Sequence, residues 1–192
     1  MRTVRNLKKL NIRTQPSKVL AAQIKALGAS PQQLPVSEVY ASLHQGIVDG
    51  TENTVSDFHA ENLHEVQQHL TISNHGYLGY AVIVNKDFWD NLPIDIRTTL
   101  TQAMNETTIF EREVAQQAND NALAKVIAAN TTNVYTLSPR QRTAWQRALL
   151  PVYQQFDGSI GNYLIRSIGS TAKLVKREQD RAKRKQKAER KK

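Results

Sequence analysis

The feature that most constrains this chain is an alternation of short strands and helices between Leu10 and Asn53. The segment reads LNIRTQPSKVLAAQIKALGASPQQLPVSEVYASLHQGIVDGTEN. Apolar residues at helical spacing follow Pro16, and Gly28 stands where such a helix ends. The order strand, helix, strand, helix, strand is typical of an α/β protein with a parallel sheet.

Besides the strand that leads into Asn53, five short segments have the apolar pattern of strands. They are residues 10–15, 34–36, 70–73, 77–84 and 133–137. The segment at 77–84 contains the run AVIV, which is apolar on both faces and typical of a central strand. Ser37 is predicted to cap the helix that follows the second strand.

The longest predicted helix runs from Ile94 to about Ala129, because this region has few helix breakers and a continuous apolar stripe. Its length is about 50 Å. Since that exceeds the size of one small lobe, the helix is predicted to brace two bodies. A further helix is predicted to begin at Ser138, and residues 160–168 form a last helical piece.

Two polar residues stand at strand ends in the first stretch. Arg13 lies on the first strand, and Asn53 follows a later one. In open α/β sheets ligands bind outside the carboxyl ends of the strands, and a cation with a side-chain amide suits an anionic ligand. Each residue also has a simpler interpretation, Arg13 as a surface strand residue and Asn53 as a turn residue.

The basic charge of the chain is concentrated at its end. Residues 173–192 hold 11 of the 26 Lys and Arg and 3 of the 17 Asp and Glu, so they carry +8 of the net charge of +9. The remaining body has no basic field of the kind that nucleic-acid binding needs. This tail lacks interleaved aromatic residues, so any contact with nucleic acid or anionic lipid is predicted to be non-specific.

No motif for catalysis or metal binding is present in the sequence. There is no cysteine, no GxSxG motif and no Gly-rich phosphate loop. His59, His64 and His69 recur at every fifth residue, a spacing that rotates around a helix. The expectation is therefore no enzyme activity, no catalytic residue, no metal site and no cofactor. No apolar run approaches the roughly 18 residues of a membrane-spanning helix.

The stretch IRTQPSKVLAAQIKALGASPQQLPVSEVYASLHQGIVDGTEN, followed by EVQQHLTISNHGYLGYAVIVNKDFWDNLP, resembles the solute-binding receptors of tripartite ATP-independent periplasmic (TRAP) transporters. It is most similar to the branch that binds four-carbon dicarboxylates, and the similarity runs from about Val4 to about Ile168. The resemblance implies an α/β, periplasmic-binding-protein-like lobe, the second of two that close on an organic acid, with a long helix crossing both. It further implies that this is the C-terminal portion of a receptor.

The resemblance also implies which residues bind the ligand. Arg13 corresponds to the arginine that forms a bidentate salt bridge to the ligand carboxylate, and Asn53 to an asparagine that hydrogen-bonds the ligand. Val36 stands where the family usually has a pocket-lining phenylalanine, a departure that alters the pocket. The segment TISNHGYLGY places His75 or Tyr77 near the site; Tyr77 is the predicted contact, and His75 is predicted to be structural.

The predicted organisation is a lead-in at residues 1–9, the receptor portion at 10–170 and a disordered or frayed helical basic tail at 171–192. The predicted function is a periplasmic receptor that delivers a C4-dicarboxylate to TRAP membrane subunits, with no specific nucleic-acid partner. The N-terminus MRTVRNLKKLNIR does not read as a secretory signal. Two alternatives stay open: a truncated remnant that binds no ligand, and association with nucleic acid or a membrane surface through the tail.

Overall fold

A computed structural model describes residues 3–170, and the predicted basic tail lies outside the described residues. The strands are β1 (Asn11–Thr14), β2 (Ser30–Gln33), β3 (Gly50–Thr51), β4 (His69–Ile72) and β5 (Asn133–Thr136). The α-helices are α1 (Lys18–Ala26), α2 (Val39–His44), α3 (Val55–Ala60), α4 (Lys86–Asp90), α5 (Ile94–Ala129) and α6 (Pro139–Ile160). Residues 162–170 are also helical.

The first sheet is parallel, in the order β2-β1-β3, with β1 in the centre. Ile12 of β1 lies opposite Pro31 of β2 on one side and Gly50 of β3 on the other. The helix α1 connects β1 to β2, and its cap Ser17 accepts a hydrogen bond from a backbone N–H of its first turn. This is the parallel βαβ arrangement that the alternating sequence predicts.

The second sheet contains β4 and β5, which are also parallel. Leu70 of β4 lies opposite Val134 of β5. The long α5 supplies the crossover between them, as a parallel pair requires. Among residues 3–170 the two sheets share no strand.

Two apolar clusters hold these elements together. The first joins β1 and α1 to α6, and its members include Ile12, Ile24, Leu27, Trp145, Leu149 and Val152. The second joins α2, α3 and the C-terminal end of α5, through Val39, Leu43, Val48, Phe58, Leu63 and Val126. The sheets are therefore fixed from two sides by helices, as expected for an α/β lobe.

The long helix is confirmed, and most of it carries exposed apolar side chains. It spans 36 residues from Ile94 to Ala129, or about 54 Å. Within it Ala122 and Val126 are buried, while Ile109 is 63% and Phe110 67% exposed. No helix of the described part of the chain combines the length and apolarity needed to cross a membrane.

The strand predicted at 77–84 is wrong for this structure. Residues 77–84 form no strand, and Tyr77, Tyr80 and Ile83 are each at least 90% exposed. A strand that is apolar on both faces needs neighbours that bury it and accept its backbone hydrogen bonds. None of the described strands pairs with this segment. The segment therefore has the apolar sequence of a central strand but no neighbouring strand to hydrogen-bond with.

The second predicted strand is displaced. Residues 34–36 are not a strand. The four residues of β1 pair with Ser30–Gln33, so the parallel pairing that defines β2 ends at Gln33. The chain then turns into a 3-10 helix at Val36–Glu38, whose N-cap is Pro35. The predicted capping role of Ser37 is therefore also wrong.

The second cluster provides a direct test of the fold. Leu63 is completely buried, whereas Leu150 on α6 is 58% exposed. Leu63→Ala is expected to lower the free energy of unfolding by about 2–5 kcal/mol, through lost transfer energy and a cavity. Leu150→Ala makes the same chemical change at the surface and should cost less than about 1 kcal/mol. Urea unfolding curves measure both, and equal costs would contradict the described packing.

Candidate functional site

The guanidinium of Arg13 is the most unusual buried group of the lobe. Arg13 is completely buried on β1, and its Nε and Nη2 donate to the backbone oxygen of Leu34 at 3.0 and 2.8 Å. Its Nη1 is buried with no hydrogen-bond partner. An unused buried donor of this kind costs about 1–3 kcal/mol. One edge of the guanidinium is therefore satisfied, and the N–H groups of Nη1 are left for a further acceptor.

The pairing of β1 with β3 brings Arg13 and Asn53 to the same end of the sheet. Arg13 lies opposite Thr51, and the N–H of Glu52 donates to the backbone oxygen of Arg13 at 3.1 Å. Asn53 follows directly and is half-buried. Its Oδ1 accepts from the N–H of Thr54 at 2.9 Å, which leaves its NH2 group as the end that can donate to a ligand.

Two carboxylates act electrostatically on the buried cation. Burial lowers the pKa of Arg13, and the nearby Glu61 and Glu52 act in the opposite direction. Burial and Asp57 raise the pKa of Glu61, while Arg13 lowers it. An arginine keeps its charge under these conditions because its intrinsic pKa is so high. The lobe thus holds a permanent positive charge with low access to water.

A cleft of about 110 Å³ lies between β3 and β4. Residues 50–53 line one side, and residues from β4 and its continuation line the other. The side chains that matter for binding and packing there are Thr51, Glu52, Asn53, His69, Leu70, Ser73, His75 and Trp145. Asn53 therefore faces a real cavity, whereas Arg13 lies next to it without lining it.

His75 and Glu52 form a polar network in this cleft that sequence reasoning did not identify. A hydrogen bond of 2.7 Å joins His75 Nδ1 to the hydroxyl of Ser73, and Nε2 lies 3.7 Å from Glu52 Oε1. The ring also packs against Trp145, with centroids 6.2 Å apart. Burial lowers the pKa of His75, and Glu52 partly opposes this. The family resemblance had placed His75 or Tyr77 near the site, and this was the signal in the sequence that could have identified His75.

The other two predicted site residues stand apart from the cleft. Tyr77 is 91% exposed, and it does not line the cavity. Val36 is 52% exposed, two positions after Leu34, the residue whose backbone oxygen Arg13 contacts. The structure therefore brings Arg13 and Asn53 together, keeps Val36 near them along the chain and leaves Tyr77 outside. The ligand contacts of all four stay predictions.

A larger depression and the histidines were considered as alternative sites. The depression, about 520 Å³, is a surface feature of α5 beside Trp89 and contains none of the predicted ligand residues. His59 and His64 stack with ring centroids 5.3 Å apart. Within residues 3–170 no group of three or more His, Asp or Glu could hold a metal ion.

A buried guanidinium and an amide lie near the carboxyl ends of parallel strands in this α/β lobe, an arrangement whose chemistry suits an anion. Residues 1–159 match the family described as bacterial extracellular solute-binding protein, family 7. The chain belongs to this family.

Two relatives and one solved structure illustrate the similarity. The C4-dicarboxylate-binding periplasmic protein DctP of Rhodobacter capsulatus is 48% identical over 159 residues, which are 83% of this chain and 48% of that protein. The C4-dicarboxylate-binding protein DctB of Bacillus subtilis is 37% identical over 168 residues, 88% of this chain and 48% of that protein. A TRAP periplasmic solute-binding protein from Shewanella oneidensis with bound succinate superimposes with a TM-score of 0.80 at 34% identity, covering 86% of this chain and 54% of that one.

These matches confirm the predicted family and the α/β, periplasmic-binding-protein-like fold. The chain spans about half the length of the relatives, 48% in both cases. The match extends through the predicted lead-in at residues 1–9. There Val4–Leu7 form a 3-10 helix with Leu7 buried.

The burial of His75 predicts how stability depends on pH. An unfolded histidine titrates near pH 6.5, whereas burial lowers the pKa of His75 in the folded chain. Between those two values the unfolded state binds more protons, so the free energy of unfolding falls as pH falls below about 6.5. His75→Gln keeps a hydrogen-bonding side chain and should lose less stability than the wild type between pH 7.5 and 5.5.

Urea unfolding at the two pH values measures this difference. His44→Gln is the matched control, because His44 is exposed and does not line the cleft. That control should behave as the wild type does. A His75→Gln variant as sensitive to acid as the wild type would show that His75 is not buried as described.

Proposed function

We propose that this chain is the second lobe of a periplasmic receptor that binds a C4-dicarboxylate and delivers it to the membrane subunits of a TRAP transporter. The observation that carries the proposal is the buried guanidinium of Arg13, whose Nη1 has no partner. Beside it Asn53 has an NH2 group directed away from its own backbone contact. The relatives described as C4-dicarboxylate-binding and the neighbour with bound succinate support this choice of ligand.

The chemistry of binding follows from the donors. A ligand carboxylate accepts from Nη1 of Arg13 in a charge-assisted hydrogen bond, which is stronger than a neutral one. Asn53 adds a second, uncharged donor. The negative charges of Glu61 and Glu52 lie close enough to oppose the effect of burial on Arg13 when no ligand is bound. The function involves capture and release and requires no covalent step.

The small size of the cleft indicates how the ligand is enclosed. Its volume of about 110 Å³ is below the roughly 300–1,000 Å³ of ordinary ligand sites. The ligand is therefore held between this lobe and the remainder of the receptor. Closure of two lobes around a solute is a common form of such capture. A receptor with two lobes of this size would have about twice the length of this chain.

Arg13→Lys tests the role of the guanidinium. We expect the succinate Kd to rise about 10- to 100-fold, because hydrogen bonds to charged groups are worth about 1.5–3 kcal/mol and an ammonium cannot hold both Leu34 and the ligand in the same geometry. The measurement is calorimetric titration of a hybrid receptor, in which residues 1–159 replace the matching half of the Rhodobacter capsulatus protein.

Arg147→Lys is the matched control, because Arg147 is exposed on α6. It should leave the succinate Kd unchanged. If Arg13→Lys also leaves it unchanged, Arg13 does not bind the ligand. If the folded hybrid binds neither succinate nor malate, the proposed function itself is wrong and the remnant interpretation is favoured.

Asn53→Asp tests the second donor with almost no change in shape. The substitution replaces an NH2 donor by a carboxylate that repels the ligand, so the succinate Kd should rise more than tenfold, about 1.4 kcal/mol or more. Asn105→Asp makes the same change on the exposed face of α5 and should have no effect. Equal affinities for both variants in the same titration would remove Asn53 from the site.

A further inference from the structure

The near-neutral body of the chain carries its charges unevenly. Residues 3–34 contain six Lys and Arg and no Asp or Glu, and residues 137–156 contain three Arg and no Asp or Glu. Residues 35–136 contain 13 Asp and Glu against four Lys and Arg. The first two segments pack together, because α1 and α6 share the first apolar cluster. The nearly balanced total therefore conceals a part of the lobe whose charged side chains are all positive.

Each of these two helices carries a pair of exposed cations. Lys18 and Lys25 of α1 are seven residues apart, and so are Arg140 and Arg147 of α6. All four residues are exposed. Seven residues are about two turns of helix, so the members of a pair lie on the same face and about 10 Å apart along the axis. The outer sides of α1 and α6 thus carry positive charge along their length.

The segment before β1 adds two more lysines at the end of α1. Lys9 donates its N–H to the backbone oxygen of Gly28 at 3.2 Å, and the side chain of Lys8 lies against Gly28. Both lysines are exposed. They stand near Lys25, which is in the last turn of α1. The surface that we call the basic face consists of six exposed residues: Lys8, Lys9, Lys18, Lys25, Arg140 and Arg147.

Helix stability does not account for two of these positions. The N-terminal end of a helix has a partial positive charge, so an aspartate is favourable there and a cation is not. The helices α3, α4 and α5 each have an aspartate in the first turn. The helices α1 and α6 have no acidic residue there and have Lys18 and Arg140 instead.

The charges of the basic face also have no counterpart within the described part of the chain. Among residues 3–170 none of its six cations forms an ion pair. The unfavourable helix positions and the absence of internal ion pairs are independent observations. Together they indicate that an external anionic partner meets these charges.

We propose that the basic face is a docking surface for anionic phospholipid, through which the lobe attaches reversibly to a membrane surface. Lys and Arg side chains are attracted to the negative surface potential of such a leaflet, and several of them act together. The attraction extends over about one Debye length, roughly 10 Å at 0.1 M salt, which is comparable to the spacing of the cations along each helix. The inference does not depend on which solute the receptor binds.

The shape and composition of the basic face favour a lipid surface over a single small anion. Neither of the two cavities described above is lined by any of its six cations, so the charges are spread over a surface. Four of the six are lysines, which act as point charges and lack the planar fork that binds one carboxylate or phosphate. On α6, Leu150 and Tyr153 follow Arg147 and are 58% and 53% exposed. Apolar side chains beside cations are typical of surfaces that lie at a lipid interface.

Two other occupants fit the charges less well. Residues 173–192 carry +8, so the basic face repels them and the same anionic surface attracts both. A second copy of this chain has its negative charge at residues 35–136. Contact between unlike surfaces of two copies gives rings or filaments in place of a closed two-fold dimer. An acidic protein surface is the remaining competitor.

Sedimentation of the full chain with lipid vesicles tests the proposal. The vesicles contain phosphatidylcholine and phosphatidylglycerol in a molar ratio of about two to one, or phosphatidylcholine alone. We expect the wild type to partition onto the anionic vesicles only. That partitioning should fall steeply between about 0.05 and 0.3 M NaCl, because salt screens exposed charges. No solute is added, so failure here is distinct from failure of the proposed function.

A pair of double variants separates the basic face from the rest of the chain. Lys18→Gln with Arg140→Gln neutralises one cation on each helix of the basic face and removes an unfavourable charge from each N-terminal turn. Its unfolding in urea should therefore require at least as much free energy as that of the wild type. Arg112→Gln with Lys125→Gln is the matched control, because both residues are exposed on α5. Both double variants have the same net charge and the same tail.

The expected result is a difference between these two variants. The partition coefficient onto anionic vesicles should fall about tenfold or more for the variant of the basic face, and it should change little for the control. Equal partition coefficients would overturn the proposal, and so would a wild type that stays in solution. If the variant of the basic face loses binding only to immobilised polyglutamate, the partner is an acidic protein. If it loses only self-association in light scattering at low salt, the partner is a second copy.

Labelling of lysines in the unmodified chain gives a second measurement that needs no variant. An amine-reactive reagent is applied with and without anionic vesicles, and the labelled positions are read by mass spectrometry. Labelling of Lys8, Lys9, Lys18 and Lys25 should slow several-fold when vesicles are present. Labelling of Lys86 and Lys125, which are exposed elsewhere, should not change. Uniform slowing at all six lysines would contradict docking through the basic face.

Discussion

The contact of the Arg13 guanidinium with the backbone oxygen of Leu34 is the interaction around which this lobe is arranged. A completely buried cation is costly unless its donors are met and its charge is compensated. The lobe meets that requirement in part, with one carbonyl from the turn after β2, while the negative charges of Glu61 and Glu52 oppose the effect of burial on the pKa of Arg13. The contact therefore ties β1 to the turn after β2. Nη1 has no partner, and it is the group that we propose binds the ligand.

The sequence was sufficient to predict the parts that depend on local pattern or on general sheet geometry. The helix Ile94–Ala129 follows from an unbroken apolar stripe, and the meeting of Arg13 with Asn53 follows from the rule that parallel strands end at one edge. What could not be predicted depends on pairing across the chain. The register of β1 decides that β2 ends at Gln33. The contact of His75 with Glu52 depends on how a loop returns to the cleft, which no spacing rule specifies.

Three separate observations describe a lobe that has its own core together with exposed apolar and unpartnered polar groups. Two apolar clusters and two paired sheets give it its own core. The cleft is small, a tryptophan N–H in it has no acceptor, and the apolar stripe of α5 is largely exposed. The chain spans about half the length of its relatives, so the receptor that we propose contains a second body of similar size that would cover such groups.

The exposed segment at residues 77–84 has a consequence for the life of the chain in a cell. Its sequence, YLGYAVIV, has no charge and no proline, and most of its side chains are exposed. Short uncharged segments of this composition are prone to intermolecular β-aggregation and, in extended form, are accessible to proteases. While the segment is uncovered, aggregation and degradation compete with assembly. A surface that covers the segment would therefore protect the chain from both processes.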